Sequence, residues 1–67
     1  MGIVQQFGKN VRRMREEKGW PQDELAVKSG MTRSYVSDLE RGVRNPSVAA
    51  LGQLADALGV EPWELLR

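Results

Sequence analysis

The chain has 67 residues, 40% of them hydrophobic and 28% charged, with no cysteine, no histidine and a formal net charge of +1. This length suits one domain, residues 1–67, of modest stability, and the composition is that of a globular protein rather than a disordered segment. Apolar runs stay short, as in Val48-Ala49-Ala50-Leu51, against the about 20 residues that cross a bilayer; without a secretory leader pattern or cysteines for a disulfide scaffold, a cytoplasmic location is expected and no membrane partner.

From residue 3 to 18, Val4, Phe7, Val11 and Met14 fall on one side of a helical repeat and predict an amphipathic first helix that Gly19 ends. Residues 9–18 carry Lys9, Arg12, Arg13, Arg15 and Lys18 against Glu16 and Glu17, a local +3, whereas residues 45–67 sum to −2. Such a basic run offers phosphate contacts or is simply a solvated face. Trp20, just beyond the glycine, is expected to fold back over the end of the helix.

Residues 22–29 read as a short second helix with Leu25 and Ala26 inward and Asp23 and Glu24 near its positive end. Ser29-Gly30 closes it. Thr32 is a suitable N-cap for a third helix over residues 33–41, which Gly42 stops. Gly42-Val43-Arg44-Asn45-Pro46 forms a loop, and Ser47 caps a fourth helix through Leu58, with Val48, Leu51, Leu54, Ala55 and Leu58 as its buried face. Pro62 suits the first position of a truncated fifth helix over residues 62–67. No segment carries a strand pattern, so the expected fold is all-α, a compact five-helix bundle.

One constellation carries more than fold. Ala26 lets a crossing helix approach closely, Gly30 at +4 permits positive φ in a very short turn, and Val36 at +10 and Leu39 at +13 give the next helix its apolar side. Together these are the spacing of a DNA-binding helix-turn-helix at about residues 22–42; a generic helical hairpin has no need of the whole set. At about 100° per residue from Arg33, Val36 and Leu39 centre at about 270°. Ser34, Ser37, Asp38 and Arg41 therefore face the other way, with Tyr35 and Glu40 at the flanks. In a major groove Arg33 suits guanine O6 and N7, Asp38 suits cytosine N4, and Ser34 or Ser37 suits either class of base. The bland alternative is a solvated polar face. Asp38 has a further alternative, in which it pairs with Arg41 or Arg33 and orients that arginine.

The runs Gln22-Asp23-Glu24-Leu25-Ala26, Ser29-Gly30-Met31-Thr32-Arg33-Ser34-Tyr35-Val36-Ser37, Leu39-Glu40-Arg41-Gly42 and Arg44-Asn45-Pro46-Ser47 closely resemble the XRE family of Cro and phage-repressor-like transcriptional regulators. With Leu54-Ala55 and Ala57-Leu58-Gly59-Val60 the resemblance covers nearly the whole chain, and the size is also similar to the restriction–modification controller proteins. It implies a lambda-repressor-like DNA-binding domain and a sequence-specific regulator of transcription, repressor or controller, acting on double-stranded DNA. It further implies that Gln22 bonds a phosphate and braces the first residue of the reading helix, and that Arg33, Ser34, Ser37 and Asp38 occupy base-reading positions. Tyr35 and Arg41 would flank them, Arg44 and Asn45 would approach the backbone, and Arg15 would form an inward salt bridge with Glu40. Pro21 departs from the family, which has Ser, Thr or Asn there; proline supplies no side-chain cap, at a cost on the order of 1 kcal/mol.

A single module reads few base pairs, so a homodimer on a palindromic operator is expected, with half-sites about 34 Å apart. Trp63, Leu65 and Leu66 are the candidate interface; alternatively Trp63 and Leu65 complete the core of the single chain. With no histidine or cysteine and no glycine-rich phosphate loop, histidine-based catalysis, thiolate chemistry and ordinary zinc sites are unsupported, so neither an enzyme nor a cofactor, metal or small-molecule ligand is expected. The alternative function is the DNA-binding antitoxin of a toxin–antitoxin pair, whose main partner is a toxin protein.

Overall fold

The computed structural model describes residues 2–67. Among them the elements are α1 (Ile3–Glu17), α2 (Gln22–Ser29), α3 (Arg33–Glu40), α4 (Val48–Leu58) and a 3-10 turn, η1 (Pro62–Leu65), with no strand. The fifth helix expected over residues 62–67 is thus one tight turn. Pro62 starts it, the Glu64 carboxylate accepts from the Glu61 amide at 2.8 Å, and Leu66 N–H closes on Trp63 O at 3.0 Å.

Each helix buries the stripe that its spacing dictates. Phe7 and Val11 of α1, Leu25 and Ala26 of α2, Val36 and Leu39 of α3, Leu54, Ala55 and Leu58 of α4 and Leu65 of η1 form one buried cluster. Met14, Trp20, Met31, Tyr35 and Leu51 pack partly buried against it. On α4 the expected face shifts: Ala50 is buried, whereas Val48 is 87% exposed. Val48 occupies the first helical position, and no element packs over it.

Two contacts fix α1 in place. Gly8 lies so close to the end of α3 that a Cβ built there would stand 2.9 Å from Glu40 O and closer still to Leu39 O, both backbone atoms that cannot swing aside. Only glycine permits that approach. Asn10, buried on the apolar stripe, donates through Nδ2 to Leu65 O at 2.9 Å and Arg67 O at 3.0 Å, while its Oδ1 accepts from Arg13 at 3.1 Å. A buried amide is stable only with such partners, and these strap the last residues across α1.

Candidate nucleic-acid interface

The α2–α3 joint takes three residues. Gly30 adopts φ 73°, ψ 30°, a left-handed conformation open to glycine without steric cost, and Met31 N–H returns to Ala26 O at 2.8 Å. The chain then leaves α2 in the extended Thr32, whose hydroxyl accepts from Tyr35 N–H at 3.1 Å and so caps α3. Val36 and Leu39 are fully buried. That rotation fixes which α3 side chains point out.

Those side chains meet in one open cleft of about 440 Å3, lined by Gln22, Arg33, Ser34, Ser37, Asp38 and Arg41. The four positions assigned to base reading are therefore brought together, with Gln22 from α2 and Arg41 from the end of α3 at its margins. Arg44 and Asn45 are exposed in the following loop. The Arg44 guanidinium lies 4.9 Å from the centre of the half-buried Tyr35 ring, a stacking that holds the arginine beside the cleft. For Asp38, pairing is present: Oδ1 accepts from Arg41 Nη2 at 2.7 Å, and Oδ2 lies 3.9 Å from Arg44 Nη1. Arg33 forms no ion pair among the described residues.

Behind the cleft sits the Arg15–Glu40 pair. Arg15 Nε donates to Glu40 Oε2 at 2.6 Å and Nη2 to Oε1 at 3.0 Å, a two-pronged bond between side chains only 10% and 2% exposed. A third donor, Nη1, reaches Trp20 O at 2.7 Å. The hydrogen bonds to Glu40 raise the Arg15 pKa; burial opposes them, and attraction to Glu40 and Glu16 adds to them. Glu40 is consequently buried, not on the flank of the outward face as the helical wheel has it.

Gln22 departs from its expected brace. Its Nε2 donates to Glu40 Oε1 at 3.0 Å, tying the start of α2 to the end of α3 rather than to Arg33. An amide NH2 has two hydrogens, so one remains beyond the bond to Glu40. Pro21, as expected, provides no side-chain cap.

At the C-terminal end the three candidate interface residues divide. Leu65 is completely buried in the chain's own core and is therefore withdrawn from any surface; Trp63, 59% exposed, and Leu66, 36% exposed, remain outside. The turn geometry explains the split, because within the one turn of η1 Trp63 and Leu65 point in different directions and Leu66 lies beyond its end. Arg67 lies over the Trp63 ring at 5.3 Å.

No helix among the described residues is long and apolar enough to cross a membrane. Residues 11–65 match the helix-turn-helix family. The uncharacterized HTH-type transcriptional regulator y4dJ of Sinorhizobium fredii is 51% identical over 66 residues, covering 98% of this chain and 86% of that protein. The crystal structure of the restriction–modification controller protein C.AhdI from Aeromonas hydrophila superimposes with a TM-score of 0.90 at 47% identity, over 92% of this chain and 94% of that one. That of SinR, the master regulator for biofilm formation, in complex with DNA gives 0.86 at 37% identity, over 91% and 98%.

Proposed function

The chain belongs to the XRE-type helix-turn-helix family, and we propose that it is a cytoplasmic, dimeric regulator of transcription that reads a palindromic operator with α3 in the major groove. The observation that carries this reading is the gathering of Gln22, Arg33, Ser34, Ser37, Asp38 and Arg41 around one outward cleft. Donors and acceptors at that density match the pattern of base edges in a major groove. Arg33, unpaired among the described residues, is the residue for guanine, and Ser34, Ser37 and Asp38 complete the base contacts. Gln22, Arg41, Arg44 and Asn45 serve the phosphates, with Tyr35 supporting Arg44.

Net charge of +1 leaves little general attraction to DNA, so affinity depends on these placed groups and on pairing two chains. Trp63 and Leu66 supply the exposed apolar surface for that pairing. SinR was crystallised with DNA and C.AhdI is a controller protein; nothing in these relatives favours the antitoxin alternative.

Selection of bound duplexes from a random pool tests the reading. An inverted repeat with half-sites about 34 Å apart is expected, and recovery of unenriched sequence overturns it.

A further inference from the structure

Asp38 is an anomaly on a face meant for a polyanion, because its carboxylate repels phosphate. Its two oxygens are engaged by two arginines of the same face, Arg41 Nη2 at 2.7 Å from Oδ1 and Arg44 Nη1 at 3.9 Å from Oδ2. The Arg44 guanidinium also lies 4.9 Å from the centre of the Tyr35 ring. The cation left over is Arg33, which has no carboxylate partner among the described residues.

We propose that Asp38 is a specificity-determining counter-ion: it withholds Arg41 and Arg44 from phosphate on arbitrary DNA, and yields them where a base amino group, cytosine N4 or adenine N6, satisfies its carboxylate. On a wrong sequence the arginines approach phosphates either by leaving Asp38, whose side chain is 28% exposed, or by carrying its carboxylate towards the polyanion. Both leave a partly desolvated carboxylate facing phosphate without a base donor, which is costly. On a right sequence the carboxylate keeps a partner. An ionised carboxylate accepts about four hydrogen bonds, so Asp38 has capacity for the base beyond the bond from Arg41. Asp38 thereby contributes less to attraction than to rejection, since discrimination is a difference between two affinities.

The inference rests on the DNA-reading function above, and the test separates the two. Wild type, Asp38→Asn and Asp38→Ser are titrated against the duplex that wild type enriches and against a shuffled duplex of equal length, each at two salt concentrations. Both variants should bind the shuffled duplex more tightly. Their slope of log K against log salt should steepen by about one to two, at about 0.9 per added phosphate contact. Preference for the enriched duplex should fall about tenfold, the scale of one lost base contact. Unchanged slope and preference, or equal weakening on both duplexes with wild-type melting behaviour, overturn the role of Asp38 while wild type's own preference upholds the DNA reading. A wild type that does not discriminate removes both.

Discussion

Replacing Arg15 with alanine tests how the reading helix is anchored. Glu40, with a side chain 2% exposed, would keep only the Gln22 amide at 3.0 Å, and Trp20 O would lose its donor at 2.7 Å. Removing one partner of a buried pair costs about 3–5 kcal/mol. A domain of 67 residues has in total about 3–10 kcal/mol, at about 0.05–0.15 kcal/mol per residue. Each kcal/mol moves the midpoint of so small a domain by about 4–8 °C, so even about 3 kcal/mol lowers it by about 12–24 °C.

Thermal melting followed by circular dichroism reads this directly. Because folding raises the Arg15 pKa, the guanidinium's contribution is fully present at every pH below its unfolded value. The loss should therefore be equal at pH 7 and pH 9. Arg15→Met combined with Glu40→Leu should recover most of the stability, since apolar replacement of both partners strands no charge. A single Arg15→Ala variant melting within about 4 °C of wild type, less than about 1 kcal/mol, would show that Arg15 does not anchor α3 through Glu40.

Five further substitutions separate fold from function. Gly8→Ala should lower stability by about 1–3 kcal/mol, as overpacking does, because its Cβ meets the Leu39 and Glu40 carbonyls; urea titration measures it. Leu65→Ala should cost about 2–5 kcal/mol as a cavity in a core, whereas Trp63→Ala should leave melting of the single chain nearly unchanged and weaken self-association in sedimentation. Arg33→Ala should relax preference at one base pair, and Arg44→Ala should make the salt slope shallower by about 1; fluorescence anisotropy on selected and shuffled duplexes separates the two.

The helices were legible because their stripes and stops are local signals. Thr32 and Ser47 cap where the sequence puts them, accepting from Tyr35 N–H and Ala50 N–H, and the +4, +10 and +13 spacing from Ala26 orients α3 so that its polar side lines the cleft. What escaped depends on the neighbours. Gly8 looks like a tolerated mid-helix glycine until α3 approaches it; its cost relative to alanine, about 1 kcal/mol, was the available signal. Asn10, a polar residue on an apolar stripe, was a similar signal for the strap it makes to Leu65 and Arg67. The wheel alone put Glu40 on a flank, because it knows nothing of Arg15, 25 residues away; only the family resemblance implied their inward pairing. Val48 has the right period but no element above it, and Leu65 separates from Trp63 and Leu66 only once the final segment becomes a 3-10 turn.

In the proposed complex α3, and not the basic run of α1, meets the DNA. Backbone amide shifts of the isotopically labelled chain, recorded as the enriched duplex is added, test it most directly. The largest changes are expected at Gln22, through residues 33–41 and at Arg44, with little effect at Lys9, Arg12, Arg13 and Lys18. Changes centred on those four α1 residues, with α3 unmoved, would contradict it.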